Sequence, residues 1–140
     1  MPGVRPSNQV ANHAAEPQVR LATVALHVAA GEILKDAAPF AEVLTPPGRV
    51  DRNREDEELL FLFDPVKGEH PEICRAVRDV VAQTYWSTAG SVTAALRRAV
   101  SFGSRHLFEH NLNVDRADRC YGGLACAVLR DRDLFLLQRH

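Results

Sequence analysis

The pattern of apolar and polar positions divides this sequence into strand-length runs and two longer segments with a helical period. Two apolar runs at the end, 121–130 and 134–138, are separated by a charged turn at 131–133. Runs of this length, rich in Leu, Val and Phe and joined by a tight polar turn, are typical of a β-hairpin. Because the runs are apolar on both sides, we expect this hairpin in the middle of a sheet and not at its rim.

Two helices are predicted before the hairpin. Pro71 suits a first helical turn, and an apolar stripe at helical spacing follows it: Ile73, Val77, Val80, Val81 and Tyr85. A second helix is predicted from Ser91 to about Asn111, with Ser91 or Thr88 as its cap. Its apolar face, which we expect to cover one face of the sheet, consists of Val92, Ala95, Leu96, Ala99, Phe102, Gly103, His106 and Leu107.

A run of mixed charge leads into a wholly apolar one. Residues 49–58 carry basic and acidic side chains with no apolar period, so we interpret them as a solvated loop. Residues 59–63 are all apolar, which predicts a strand buried on both faces. This strand ends at Asp64. A carboxylate in that position, followed by a loop that contains Gly68, is a common place for a metal or a phosphate as well as an ordinary turn.

The amino-terminal part shows weaker patterns. Residues 21–29 alternate large apolar with small or polar side chains, which indicates a strand with one buried side that carries Val24, Leu26 and Val28. Residues 40–44 suit a short strand, and residues 32–35 suit a helical turn.

The chain is expected to form one domain. Residues 1–19 contain three prolines and no apolar period, so we predict a flexible tail there and a domain over 20–140. A chain of 140 residues is long enough to bury a core. Two helices set between strands indicate an α+β fold, with the helices packed on a mainly antiparallel sheet.

The balance of basic and acidic residues argues against two classes of binding partner. The 17 basic and 18 acidic side chains leave no electrostatic footprint for nucleic acid or an anionic membrane. No apolar run approaches the roughly 20 residues of a membrane helix, and residues 1–7 do not resemble a signal peptide. We therefore expect no nucleic-acid partner, no membrane partner and a cytoplasmic location.

The three cysteines are interpreted as core residues. Cys74, Cys120 and Cys126 are odd in number and lie among apolar positions, which disfavours a disulfide framework. An alternative is a zinc site, because His106 and His110 share a helix face and two of the cysteines follow them. Their spacing matches no known zinc-finger pattern.

The absence of several catalytic motifs narrows the range of candidate reactions. The sequence contains no G-x-S-x-G elbow, Walker loop, dinucleotide fingerprint or H-E-x-x-H motif. The remaining candidates are Glu55, Asp56 and Asp64, whose oxygens are the ligands that Mg²⁺ and Mn²⁺ prefer. We interpret Asp131 and Asp133 as turn formers.

The order of these elements resembles the amino-terminal half of the metal-dependent Ser/Thr protein phosphatases, the PPM type or 2C class. Residues 48–56, GRVDRNRED, keep the Gly, Val, Glu and Asp of the motif G-x-V-R-x-x-N-E-D. Residues 64–70, DPVKGEH, follow an apolar strand and are similar to D-G-M-G-G-H. Residues 95–99, ALRRA, and 121–125, YGGLA, are similar to the A-L-x-x-A helix and the G-M-G-T-T strand. The resemblance covers about residues 42–138.

The resemblance implies a partial α-β-β-α sandwich in which Asp64, Glu55 and Asp56 bind Mn²⁺ or Mg²⁺. The implied substrate is a phosphoprotein, attacked at phosphoserine or phosphothreonine by metal-activated water. The sequence departs from the family pattern in three ways. Only seven residues separate Asp56 from Asp64, Pro65 replaces a glycine, and the later D-G and D-N metal motifs do not occur. The implied protein is therefore a truncated and degenerate phosphatase-like pseudoenzyme of bacterial signalling, inactive as this chain alone.

Two other hypotheses remain open. The chain could be a non-enzymatic interaction module that forms a homo-oligomer or binds a partner through an exposed sheet edge. It could also be a fragment of a longer reading frame, with no stable fold of its own.

Overall fold

The computed structural model describes residues 22, 24, 27–34, 40–50, 54–66 and 70–140. The strands are β1 (His27–Ala29), β2 (Glu32–Leu34), β3 (Ala41–Leu44), β4 (Glu58–Pro65), β5 (Gly122–Arg130) and β6 (Asp133–Arg139), and the helices are α1 (Pro71–Ser87) and α2 (Val92–Leu112). Strands β3-β4-β5-β6 form an antiparallel sheet in that order, and β1 pairs with β2 separately. The α+β class is confirmed, and the predicted tail over 1–19 lies outside the described residues.

Both predicted helices are confirmed. Helix α1 begins at Pro71, and α2 is capped by Ser91, whose Oγ accepts a hydrogen bond from the Ala94 N–H at 3.2 Å. The two helices pack closely where Gly103 faces Val81. A Cβ atom at Gly103 would lie only 2.6 Å from Val81 Cγ2, so the glycine sets this approach. Among the described residues, no helix is long and apolar enough to cross a bilayer.

The core lies between the helices and one face of the sheet, which we call the inner face. Alternate residues of the two central strands form this face and are at most 4% exposed: Leu59, Phe61, Phe63, Leu124, Cys126 and Val128. All three cysteines are buried and free, as predicted. Burial raises the pKa of the Cys126 thiol to about 12. Phe102 was predicted on the buried helix face but is 44% exposed, and Val100 is buried instead.

The opposite, outer face is apolar and open. Its Leu62, Leu134 and Leu136 side chains are 41%, 61% and 70% exposed. The prediction that residues 59–63 are buried on both faces is therefore wrong. The hairpin prediction is confirmed, but β6 lies at an edge of the described sheet and not in its middle. An antiparallel sheet needs cover on one face only, so an apolar run does not reveal whether a second layer is present.

Three predictions concern the amino-terminal strands. Residues 32–34 form β2 and not a helical turn, because Ala30 and Gly31 adopt φ angles of 52° and 82°, which suit a two-residue hairpin. The short strand predicted at 40–44 is confirmed as β3. Val24 and Val28 were predicted to face a buried side, but they are 95% and 52% exposed. Leu26, the third residue predicted on that side, lies outside the described residues.

Candidate functional site

The three predicted metal ligands lie at opposite ends of β4. Glu55 and Asp56 occupy the turn that precedes the strand, and Asp64 lies close to its end. At about 3.3 Å per residue, the strand separates the two positions by about 20 Å. All three side chains are exposed. The structure therefore does not bring these carboxylates together around one ion.

Other metal-ligand groupings are also absent from the part of the chain that the structure describes. It contains no group of three or more His, Cys, Asp or Glu side chains arranged to hold an ion. The structure does not bring His106, His110, Cys120 and Cys126 together in the way that the zinc alternative requires. A role for Asp64 with ligands outside the described residues stays a prediction.

Two glycines of β5 face the end of β4. Asp64 lies opposite Gly123, and Pro65 lies opposite Gly122. A Cβ atom at Gly122 would collide with the Asp64 carbonyl oxygen and lie 2.8 Å from Phe63 Cζ, so only glycine permits this approach. At Gly123 the nearest atom to such a Cβ is the His140 Nδ1 at 3.5 Å, an ordinary contact. The Asp64 carboxylate thus lies on the open outer face beside a position that has no side chain.

The other end of β4 carries a buried polar cluster. Arg54 and Glu57 are each 1% exposed. Arg54 Nη1 donates to Glu57 Oε2 at 3.0 Å and to the Tyr85 hydroxyl at 2.9 Å, and that hydroxyl donates to Glu57 Oε2 at 2.6 Å. Burial, and then the hydrogen bond to Glu57, raise the pKa of Tyr85. Arg130 adds a second cation, 3.7 Å from Glu57 Oε1.

The remaining donors of Arg54 bind the corner between the helices. Its Nε donates to the Thr88 carbonyl at 3.0 Å, and its Nη2 donates to the carbonyls of Gly90 at 3.1 Å and Ser91 at 3.4 Å. The guanidinium thus joins the segment before β4 to the α1–α2 corner. Because the charge is paired and hydrogen-bonded throughout, this cluster serves the fold and leaves no group free for chemistry.

Sequence reasoning missed this cluster. The solvated-loop prediction for 49–58 is wrong at Arg54 and Glu57, and residues 51–53 lie outside the described residues. One signal was available in Tyr85, which lies on the apolar stripe of its helix with a hydroxyl that needs a partner when buried. The partners come from 28 and 31 residues away, so local spacing could not identify them.

The exposed edge strand β6 is the second candidate surface. Its register with β5 starts at the pair Arg130 and Asp133 across a two-residue turn, which closes on a hydrogen-bonded pair. Hydrogen-bonded pairs then recur every second residue, so the N–H and C=O groups of Leu134, Leu136 and Gln138 point away from β5. Within the described sheet these groups have no strand beside them.

Comparisons with known proteins identify no relative. No protein-family model, curated protein or solved structure matches this sequence. The functional argument therefore rests on the geometry of the chain itself.

Proposed function

We propose that this chain is a non-enzymatic interaction module that binds an extended strand of a partner along β6. The observation that supports the proposal is the free edge of this strand. Leu134 to Leu137 carry no charge, and three residues of β6 direct their backbone groups outward. A long, uncharged edge of this kind is a template for strand addition.

The opposite edge of the sheet is protected by comparison. Strand β3 has only four residues and is followed by Pro46 and Pro47. Its Glu42 forms an ion pair with Arg78 of α1, with Nη1 2.8 Å from Oε2. Short length, proline and charge are the features that block pairing at an edge. Strand addition is therefore expected at β6.

The test uses a synthetic peptide of alternating Val and Thr with lysines at both ends, added to the isotope-labelled chain. We expect it to slow hydrogen exchange at the outward amides of Leu134, Leu136 and Gln138. Leu136→Pro should abolish the protection at Leu134 and Gln138, because proline removes the central outward N–H, a group that the β5 ladder does not use. Leu136→Thr keeps the N–H and is the matched control. Unchanged exchange in the wild-type chain, with this peptide and at high chain concentration, would refute the proposal.

A second candidate function follows from the resemblance to the PPM phosphatases. The element order β4-α1-α2-β5-β6 and the position of Asp64 opposite Gly123 support a degenerate half-domain of that type. Since Glu55 and Asp56 lie at the other end of β4, we propose that such a domain retains at most a weak Mn²⁺ or Mg²⁺ site at Asp64. It would have no turnover of phosphoproteins as this chain alone.

Thermal melts with and without millimolar Mn²⁺ test this candidate. A cation that binds only the folded chain raises its melting temperature, and Asp64→Asn should remove the rise. Glu55→Gln, at the far end of the strand, is the matched control and should leave it unchanged. We expect no Mn²⁺-dependent phosphate release from a phosphopeptide. A melting temperature that Mn²⁺ does not change would exclude the residual site. Phosphate release that depends on Asp64 would overturn the proposed inactivity.

A further inference from the structure

We propose that the partner of the β6 edge is a second copy of this chain, paired antiparallel about a two-fold axis at Leu136. The inference rests on the proposed interaction function and adds the identity and register of the strand that binds. Pairing would join the two sheets into one continuous eight-stranded sheet with the helices of both copies on the same face. The contact is isologous, because each copy contributes the same strand.

The backbone of β6 permits only certain registers. Antiparallel partners exchange hydrogen bonds between residues whose N–H and C=O groups face each other. In β6 those residues are Leu134, Leu136 and Gln138. With the two-fold axis at Leu136, this residue pairs with itself in the other copy, and Leu134 pairs with Gln138. All the outward groups of both strands are then satisfied.

The charges at the ends of β6 select this register. The strand reads Asp-Leu-Phe-Leu-Leu-Gln-Arg, with Asp133 at its start and Arg139 at its end. Antiparallel self-pairing about Leu136 places Asp133 opposite Arg139 of the other copy, at both ends of the contact. Both side chains are exposed, and neither has an ion-pair partner among the described residues. Opposite charges on directly opposed residues stabilise a strand pair.

The apolar side chains of β6 fit the same register. Phe135 and Leu137 lie on the inner face, where they are half-buried against the core. In the proposed pair Phe135 lies opposite Leu137 of the other copy, so the two cores become continuous below the helices. On the outer face, Leu136 of each copy meets its equivalent across the axis. No charged side chain falls inside the contact.

The size of the contact sets the expected affinity. A seven-residue strand on each side buries far less than the roughly 1,200–2,000 Å² of a stable interface. The dimer should therefore be weak and reversible, and its population should rise with chain concentration.

Sedimentation of charge variants tests both the partner and the register. Asp133→Arg places like charges opposite each other at both ends of the self-pair, and so does Arg139→Asp. Each variant alone should dimerise about tenfold or more weakly than the wild-type chain. An equimolar mixture of the two variants restores both opposite-charge contacts and should form a heterodimer. Arg132→Asp changes a turn residue outside the strand and is the control for net charge.

The outcomes separate this inference from the function on which it rests. Rescue in the mixture, with folded spectra for both variants, supports the second copy and the register. A wild-type chain that stays monomeric at millimolar concentration, yet protects its Leu136 amide with the Val-Thr peptide, keeps the interaction module and overturns the self-pair. Dimerisation that is as strong in both charge variants as in the wild-type chain overturns the register. Absence of both self-association and peptide protection refutes both proposals.

Discussion

The charged residues at the two ends of β4 lie in opposite environments. At the beginning of the strand, Arg54 and Glu57 are withdrawn from solvent and bound to Tyr85 and to the corner between the helices. At its end, Asp64 is exposed beside Gly123. The two ends look alike in the sequence, since both are polar stretches beside an apolar run. They differ in whether other groups lie close enough to pair with the charges, because a buried charge persists only where it is paired.

This difference assigns separate roles to the two ends. The buried end holds the helices to the sheet, and its groups are fully used. The open end has an exposed carboxylate beside a position without a side chain. Substitutions at the buried end should act on stability. Substitutions at the open end should act on binding, except at positions where β4 and β5 approach too closely to admit a side chain.

Removal of Arg54 should have the largest effect. Arg54→Met leaves Glu57 buried with fewer partners and removes the donor to the carbonyls of Thr88 and Gly90, so we expect a loss of about 3–5 kcal/mol in the free energy of unfolding. Urea unfolding measures it. The exposed Arg49→Met is the matched control and should change stability by less than about 0.5 kcal/mol. If Arg54→Met matched that control, the cluster would have no part in stability.

The glycine pair at the open end should give the next largest effect. Gly122→Ala forces a Cβ against the Asp64 carbonyl and the Phe63 ring, and overpacking of this kind costs about 1–3 kcal/mol. Gly123→Ala, one residue away, has space for its methyl group and should be much less destabilising. Melting temperatures of the two variants measure the contrast, and equal values would mean that β4 and β5 do not approach as described.

A pH titration should give the smallest but most specific effect. The raised pKa of Tyr85 means that its contribution to stability is complete below pH 10, the ordinary tyrosine value, and declines as the pH rises above it. In Tyr121→Phe, Tyr85 is the remaining tyrosine. Its phenolate absorbance should appear at the same pH as unfolding, and Trp86 fluorescence measures the unfolding. Ionisation near pH 10 in a folded chain would show that Tyr85 is not buried with Glu57.

The sequence was sufficient where the determinants of structure are local. The period from Ile73 to Tyr85 and the cap at Ser91 identify the two helices, and the turn at 131–133 identifies the terminal hairpin. These features depend on spacings of a few residues, which a single sequence displays directly.

The sequence was insufficient where a residue's environment depends on distant segments. The charge of Arg54 suggested solvent, but Thr88 and Tyr85, more than thirty residues away, create its buried site. Likewise, the apolar pattern of β6 suggested an interior strand, because the same residues suit an interior position and an edge that is free to pair. The metal prediction could not foresee that β4 keeps Asp56 and Asp64 apart.

Arg54 also compensates the dipole of α1. The last turn of this helix contains no basic residue, so the helix itself supplies no cation at its negative end. The guanidinium of Arg54 reaches that end from the segment before β4, where its Nε donates to the Thr88 carbonyl. The helix therefore depends on a residue outside it for electrostatic stability at this corner, and the two layers should unfold in one cooperative transition.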